Sequence, residues 1–360
     1  MQNKKKTINF VESINQAISY SLKKDKNMIC YGLGTTDPKN IFSTTKDLEK
    51  KFGSKRIFDV PASENAITGI SIGAALNNVR SVVTHQRVDF FLLALDQLIN
   101  SAAKWHYMFG SKNSVAITIR LIIGRGWGQG PTHSQTMSSL FASIPGLKVV
   151  IPSNPQNCYD LLLASIFDPN PVIFLEHRWL HNLKIDKLVK KKNKSLKTFN
   201  SKKLISGKDL TIVSSSFGTV ECLDVVKELK KESIFCELID LRVIKPLNLD
   251  LIYNSVKKTG KILVIDMDCD TCGIGSEIIS KVSQNVFPYL KEAPQKISMP
   301  DVPVPTSFAL TKDFYFSKIQ IIKKIKNILK INRKISTELF FEKKIDKYHD
   351  IPGQWFTGPF

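Results

Sequence analysis

Short runs of branched apolar residues recur along the first half of the chain and constrain its fold more than any other feature. They occupy positions 28–31, 82–84, 115–119, 149–151 and 172–175, and longer stretches with helix-like periodicity separate them. Strands that are apolar on both faces are typical of parallel sheets covered by helices. Similar runs return at 210–213, 236–239 and 262–265. The sequence therefore predicts an α/β protein with two parallel-sheet domains.

The two series of runs are separated by a polar, lysine-rich stretch from residue 181 to about residue 209, which is typical of a solvated linker. We expect a first domain over 1–182, a basic linker over 183–208, a second domain over 209–332 and a C-terminal extension over 333–360.

Two elements of the second half have recognisable helix patterns. Gly273 is expected to precede a helix, with Glu277 as a first-turn acid that complements the helix dipole. Further on, one apolar stripe of a basic amphipathic helix comprises Ile319, Ile322, Ile325 and Leu329. Such a helix can attach to a membrane or dock onto its own fold, and we favour docking. The aromatic tail 354–360 is expected to pack on a partner or a neighbouring domain.

Composition indicates a protein of the cytoplasm. Hydrophobic residues make up 42% of the chain, but none of its apolar runs reaches the roughly 18 residues of a membrane span. The basic residues 1–6 precede an amphipathic pattern at Phe10, Ile14, Ile18 and Leu22 rather than a secretory core. Six scattered cysteines indicate reduced thiols, and the pair Cys269 and Cys272 has neither a second pair nor a nearby histidine to make a zinc site.

The formal net charge of +20 raises the question of nucleic-acid binding. The excess lysine is concentrated in 184–208 and 318–347, where aromatic residues are not spaced for base stacking. We therefore expect no nucleic-acid partner. A basic surface can still attract an acidic protein partner.

Five segments stand in a distinctive order along the chain. They are 59–65 (DVPASEN), 94–104 (ALDQLINSAAK), 124–135 (GRGWGQGPTHSQ), 145–150 (PGLKVV) and 239–247 (IDLRVIKPL). In these segments the chain resembles the beta subunits of the thiamine diphosphate-dependent first component of 2-oxo acid dehydrogenase complexes, of which pyruvate dehydrogenase is a well-known example. The resemblance implies a transketolase-like pyrimidine-binding domain followed by a transketolase C-terminal-type domain.

The resemblance gives Glu64 the central catalytic role. In the family, a glutamate at this place bonds the aminopyrimidine ring of the cofactor and assists removal of the thiazolium proton. We expect an apolar pocket around Glu64 that raises the pKa of its carboxyl group. Without such a pocket, the Ser63-Glu64 pair is an ordinary helix start.

Further site residues follow from the same resemblance. His133 matches the family histidine near the reacting carbon, and Phe90 matches an aromatic residue that stacks on the aminopyrimidine ring. Gln86, in the same loop as Phe90, is assigned to cofactor binding. Outside that context, His133 is a loop histidine satisfied by its neighbours and Phe90 an apolar residue entering a helix, as we expect for Phe91. We expect the glycines of 124–130 to let the backbone approach a ligand closely, but they do not follow a nucleotide-binding pattern.

Some positions depart from the family pattern and leave the substrate open. Leu33 stands where beta subunits have an acidic residue. His85 and Arg87 are candidate substrate-binding residues; Arg87 suits a second anionic group on the substrate, and an ion pair with Asp89 is the equally weighted alternative. Asp168 and Asn170 lie in a loop that holds a structural potassium ion in some relatives, although loop capping explains them as well.

The chain lacks a Gly-Asp-Gly run followed by asparagine, which holds magnesium and the diphosphate in this enzyme class. The resemblance therefore implies an alpha subunit that carries this motif, a beta–beta contact in an alpha2beta2 assembly, and a lipoyl-bearing acyltransferase as acyl acceptor. Two other readings stay open: one half of a split transketolase or carboligase, and a scaffold without catalytic activity.

Overall fold

The computed structural model describes residues 7–126, 128–189 and 195–335, together with residues 350 and 356. Its strands are β1 (Ile8–Asn9), β2 (Ile29–Gly32), β3 (Ile57–Phe58), β4 (Ser81–His85), β5 (Ile117–Ile123), β6 (Lys148–Val150), β7 (Val172–His177), β8 (Lys184–Ile185), β9 (Lys202–Ile205), β10 (Leu210–Ser214), β11 (Cys236–Asp240), β12 (Val243–Lys245), β13 (Ile262–Cys269) and β14 (Gln295–Met299).

The helices are α1 (Phe10–Lys24), α2 (Asn40–Ser43), α3 (Leu48–Phe52), α4 (Glu64–Leu76), α5 (Val88–Phe91), α6 (Ala103–Met108), α7 (Ser138–Ser143), α8 (Pro155–Ile166), α9 (Ser216–Lys231), α10 (Asp250–Thr259), α11 (Ile274–Val286), α12 (Phe308–Phe314) and α13 (Lys318–Leu329). Single 3₁₀ turns cover Leu92–Ala94, Arg178–Leu180, Leu196–Thr198 and Phe287–Tyr289, and a π-helical segment covers Gln97–Ala102.

Two mostly parallel sheets organise the chain. The first has the order β12-β6-β7-β5-β4-β2-β3 and the second β14-β13-β10-β11-β9, and within each only one edge strand, β12 or β9, is antiparallel to its neighbour. Every predicted strand run overlaps one of these strands. The α/β architecture with two parallel sheets is thus confirmed.

The first helix shows how local sequence sets this fold. Asn9 and Glu12 form a capping box, with Glu12 N donating to Asn9 Oδ1 at 2.7 Å and Asn9 N donating to Glu12 Oε2 at 2.8 Å. From this start, the apolar positions Phe10, Ile14, Ile18 and Leu22 fall on one fully buried face. That face packs against α8 beside the first sheet, as the periodicity predicts.

The segment predicted as a solvated linker is more ordered than a linker. Its first residues form β8, which pairs with β1, and its last residues form β9, which extends the second sheet. His181 is fully buried, and Phe199 is largely so. Lysine content misled the prediction, because lysine side chains on an edge strand reach solvent while the backbone joins the sheet. Residues 190–194 lie outside the described part.

Helix α13 docks on its own fold, as favoured from sequence. It packs against α9, and Lys318 Nζ lies 2.6 Å from Asp224 Oδ2. Ile322 and Ile325 are buried as predicted, but Ile321 and Ile328 complete the buried face, whereas Ile319 and Leu329 are half-buried. Another helix of the second domain, α11, begins at Ile274 with Glu277 in its first turn, which confirms that prediction. Most of the predicted aromatic tail lies outside the described residues.

The cysteines are free thiols, as expected from their scattered positions in the sequence. Cys30, Cys158, Cys222 and Cys236 are buried and free, and Cys269 and Cys272 are exposed and also free. Across the described ranges, none of the helices is long and apolar enough to span a membrane.

A buried carboxyl group joins the two domains. Asp240 at the end of β11 accepts hydrogen bonds from Ser153 Oγ at 2.5 Å and Asn157 Nδ2 at 3.2 Å in the first domain, and from Thr219 Oγ1 at 3.1 Å in the second. Burial raises the pKa of Asp240 to about 6, despite these hydrogen bonds. Ionisation of this buried carboxyl group therefore opposes folding, although the hydrogen bonds that it accepts offset part of the cost.

Asp240 should make stability fall as pH rises. Because its folded pKa lies above its unfolded value, the folded state holds the proton more tightly, and ionisation between pH about 4 and 6 costs on the order of 3 kcal/mol. Asp240→Asn should flatten the pH dependence of the urea midpoint in this window. Asp250→Asn, an exposed carboxyl group of the same domain, is the control, and equal slopes in all three proteins would contradict the assignment.

Candidate active site

Four adjacent parallel strands, β2, β4, β5 and β7, end at one edge of the first sheet. The residues that follow them are brought together there: Leu33 after β2, Gln86 to Phe90 after β4, the loop of His133 after β5 and Arg178 after β7. The carboxyl edge of a parallel sheet is the usual place for a ligand site.

Glu64 is the first residue of α4, so the helix start and the proposed catalytic position coincide. Its side chain is half-buried rather than enclosed, and among the described residues no donor bonds the carboxylate. The apolar pocket expected around it is thus incomplete in the single chain. The carboxylate is left available to a ligand.

Phe90 and His133 meet at this edge. Their ring centroids lie 5.1 Å apart, with the ring planes nearly perpendicular at 85°. Phe90 is 41% exposed, whereas the neighbouring Phe91 is fully buried, as expected for an apolar residue of the helix. Thr132 Oγ1 lies 3.0 Å from His133 Nδ1, which leaves Nε2 open to a ligand. The pair offers a flat apolar face beside a titratable ring.

The segment 87–90 forms hydrogen bonds with the loop of His133 on both sides of the histidine. Arg87 Nη2 donates to Gln129 Oε1 at 2.5 Å, and Gln135 Nε2 donates to Asp89 Oδ1 at 2.7 Å. The alternative ion pair between Arg87 and Asp89 is not formed, because both side chains engage the loop instead. These contacts fix His133 relative to Phe90.

Gln86 joins the loops after β4 and β2. Its Nε2 donates to the backbone oxygen of Leu33 at 2.8 Å. The Leu33 side chain is 45% exposed, so this position offers an apolar surface where the family pattern predicts an acid.

His85 lies in the core, which does not support the predicted substrate-binding role. It is 5% exposed and packs against Phe91, with the ring centroids 4.8 Å apart. Burial lowers the pKa of His85 to about 4, so the imidazole is neutral near pH 7. His85 is the last residue of β4, a strand whose five residues are all buried, and the sequence motif alone does not reveal this.

Two glycines after β5 allow aromatic rings of the chain itself to approach the backbone closely. Gly124 and Gly126 have φ of +108° and +141°, and an added Cβ would lie 2.6 Å from His177 Nε2 and 2.7 Å from Trp179 Nε1 respectively. The expected close approach to the backbone thus occurs at Gly124 and Gly126, with side chains of the chain itself as the neighbours. Approach of a ligand to this segment stays a prediction. Trp127 lies outside the described residues.

The loop proposed for potassium is held by cationic side chains. The Asp168 carboxylate accepts from Lys148 Nζ at 2.6 Å, its backbone oxygen accepts from Arg80 Nη1 at 2.9 Å, and Asn170 N donates to Asp168 Oδ1 at 2.9 Å. Both readings of Asp168 and Asn170 remain predictions, and the contacts favour capping.

The site contains two arginines that motif reasoning missed. Arg125 is buried, with its guanidinium carbon 4.4 Å from the Trp179 ring centroid and 4.3 Å from that of Tyr315. Arg178, directly after β7, is also buried. Both arginines follow the end of a predicted strand closely, and this position in the sequence could have indicated that they lie at the site.

A cavity of about 560 Å³ separates the loop of His133 from the second domain. Its lining includes Ser134, Gln135 and His177 on one side and Met267, Asp268 and Met299 on the other. Asp268 fixes this boundary, because its carboxylate accepts from the backbone amides of Ser138 at 3.0 Å and Ser139 at 2.7 Å. The volume is that of small-molecule sites.

Comparison with known families agrees with this architecture. Residues 6–183 match the model of the transketolase pyrimidine binding domain, and residues 200–321 match that of the transketolase C-terminal domain. The pyruvate dehydrogenase E1 component subunit beta of Rickettsia bellii is 33% identical over 88% of this chain and 97% of its own. The chain belongs to the pyruvate dehydrogenase E1 beta subunit family. The resemblance seen in the motifs is thereby confirmed.

Other relatives show how wide the family is. The beta subunit of acetoin:2,6-dichlorophenolindophenol oxidoreductase from Cupriavidus necator is 34% identical over 88% of this chain and 96% of its own. Among solved structures, a split gene transketolase described as an inactive beta4 tetramer superposes with a TM-score of 0.70 at 17% identity, covering 91% of this chain and 99% of that one. That likeness supports the fold.

Gly124 should be intolerant of any side chain. Gly124→Ala should lower the free energy of unfolding by about 2 kcal/mol or more, because its φ is positive and the added Cβ meets His177. Gly73→Ala is the control, since no atom lies within 4 Å of its added Cβ, and it should be neutral or stabilising by up to about 1 kcal/mol. Urea unfolding measures both, and equal effects would contradict the packing described.

Proposed function

We propose that this chain is the beta subunit of a thiamine diphosphate-dependent 2-oxo acid dehydrogenase, with pyruvate as the leading substrate and an alpha subunit as obligatory partner. The free carboxylate of Glu64, on the domain whose carboxyl edge also carries Phe90 and His133, is the observation that carries it. The identity to pyruvate dehydrogenase E1 beta subunits over most of the chain supports it.

The residues present suit the aminopyrimidine side of the cofactor. Glu64 would bond the ring nitrogen, Phe90 would stack on the ring, and Gln86 would hold the adjoining loop. When bound, thiamine diphosphate supplies the carbon nucleophile that attacks the 2-oxo carbon. We assign magnesium and the diphosphate to the alpha subunit, because this chain lacks the Gly-Asp-Gly run.

His133 has two tasks compatible with its position. Its free Nε2 can bond the substrate carboxylate, or it can pass a proton while the acyl group moves to a lipoyl carrier. The hydrogen bonds of Arg87 and Asp89 to this loop hold the His133 ring in place for either task.

The partial burial of the Glu64 side chain is consistent with a site that a partner subunit completes. Helix α4 presents a face of small or apolar residues, including Gly73 and the 63% exposed Ile70, and the neighbouring Leu93 is 68% exposed. Exposed apolar surface of this kind marks protein contacts. We assign it to the alpha subunit or to the beta–beta contact of an alpha2beta2 assembly.

The acetoin oxidoreductase relative makes an acetoin-type substrate the second candidate. A product assay with pyruvate, acetoin and aldehyde acceptors separates acyl transfer to lipoamide from cleavage of acetoin and from the carbon–carbon bond formation of a split transketolase or carboligase.

Glu64→Gln should abolish most activity of the assembled enzyme. With a co-expressed alpha subunit, we expect 2-oxo acid decarboxylation to fall by about 100-fold or more, as for loss of an acid–base group. Glu277→Gln makes the same chemical change at an exposed helix position of the second domain and should retain activity. Full activity of Glu64→Gln would favour a scaffold role, and full activity without the alpha subunit would refute the shared site.

Gly73→Leu should impair assembly without unfolding the chain. The position is exposed and open in this chain, so the larger side chain is accommodated there but obstructs a closely packed neighbour. Size-exclusion chromatography with the alpha subunit should show a smaller assembled fraction than for wild type. Gln284→Leu, at an exposed position of α11 in the second domain, is the control; normal assembly of Gly73→Leu would remove this face from the interface.

A further inference from the structure

Three neighbouring strands of the first sheet are each followed by a buried arginine. Arg87 follows β4, Arg125 follows β5 and Arg178 follows β7, and these strands are adjacent in the order β7-β5-β4. The carboxyl edge that carries the candidate active site is thus also a concentration of positive charge.

Arg178 is buried without full pairing. It is 1% exposed, Nη1 lies 3.2 Å from His181 Nδ1, and within the described part of the chain Nε and Nη2 have no hydrogen-bond partner. Its guanidinium carbon lies between two aromatic rings, 4.1 Å from the Phe42 centroid and 4.7 Å from that of Phe356. The rings fix the plane of the guanidinium but satisfy none of its N–H groups.

Arg87 adds a second incomplete guanidinium. It is 6% exposed; Nη2 is bonded to Gln129, whereas no described residue forms a hydrogen bond with Nη1. The two arginines lie close enough for each charge to act on the other, and burial, reinforced by Arg87, lowers the pKa of Arg178 to about 9. The surroundings therefore disfavour the positive charge that the fold places there.

The two carboxylates that act on this pair, Glu176 on Arg178 and Asp89 on Arg87, form their hydrogen bonds with other described residues. Glu176 is occupied by Arg120, whose Nε and Nη2 lie 3.0 Å and 2.9 Å from its two oxygens. Asp89 lies near enough to act on Arg87 but bonds Gln135. An unpaired buried charge is costly unless a ligand completes it.

The chain also accepts backbone strain beside Arg178. Asn40, Ile41, Phe42 and Ser43 have four successive positive φ values, from 46° to 69°, and this turn carries the Phe42 ring that covers the guanidinium. Left-handed conformations cost on the order of 1 kcal/mol or more for each such residue and cluster at ligand sites.

We infer that Arg87 and Arg178 form a binding site for an oxyanion, either a phosphate or a carboxylate group. Both groups accept the parallel N–H donors of guanidinium. Because Arg87 is three residues from Phe90 and holds the loop of His133, the anion would be the second charged group of a 2-oxo acid that reacts at the other end and that would replace pyruvate as the leading substrate. This last step rests on the proposed function; the binding site itself does not.

Binding of inorganic phosphate to the full chain tests the site without partner or cofactor. Calorimetric titration should show one phosphate site in wild type and at least tenfold weaker binding in Arg178→Met. Arg333→Met removes a charge from an exposed ion pair with Glu232 and should bind as wild type does. Arg178→Lys, which retains charge but loses the planar fork, should be intermediate and serves if Arg178→Met does not fold. No binding by wild type, or equal binding by the variants, would overturn the site.

The substrate assignment is tested in the assembled enzyme. We expect the kcat/KM ratio of a 2-oxo acid with a terminal phosphate or carboxylate to pyruvate to fall at least tenfold in Arg178→Met, mainly through KM. An unchanged ratio with phosphate binding retained in wild type would overturn the substrate assignment alone. Absence of any thiamine-dependent turnover would instead overturn the proposed function and leave the oxyanion site standing.

Discussion

A fully buried ion pair supports the edge of the sheet on which the candidate site is built. Arg120 on β5 holds both oxygens of Glu176 on β7 and donates to Thr84 Oγ1 on β4 at 3.2 Å. Burial acts to raise the pKa of Glu176, but Arg120 and contact with His181 hold it below its usual value. His181 itself has a pKa lowered to about 4 by burial and is neutral. Breaking such a pair typically costs about 3–5 kcal/mol, so three strand ends depend on it for their alignment.

Most of the fold was accessible from the sequence because the signals are local. The branched apolar runs give the strands, and the spacing of Phe10, Ile14, Ile18 and Leu22 gives the buried face of α1. The linker was misjudged because composition reports the preference of side chains, whereas β9 forms through backbone pairing with β11. The buried face of α13 was shifted because Ser317 and Gln320 cap the helix and its orientation on α9 selects Ile321 and Ile328.

The site was accessible only in part, because its contacts depend on which strands are neighbours. Motif position placed Glu64, Phe90 and His133 on one domain, but it did not reveal that His85 faces the core or that Arg87 and Asp89 hold the loop of His133. Arg178 joins this region only because β7 lies beside β5 and β5 beside β4. Glu64 is only half-buried in this chain, and under the proposed function its enclosure would come from a partner subunit, whose contacts this sequence alone does not specify.

Strand β12 belongs by sequence to the second domain and by hydrogen bonding to the first sheet, where Val243 pairs with Val150. A truncated first domain ending near residue 208 would leave β6 as an uncovered edge with unsatisfied backbone groups, the situation that promotes aggregation. A strand of the second domain thus completes the sheet of the first domain. The two domains should unfold in a single cooperative transition, and fragments cut between them should be poorly behaved unless this strand is supplied in trans.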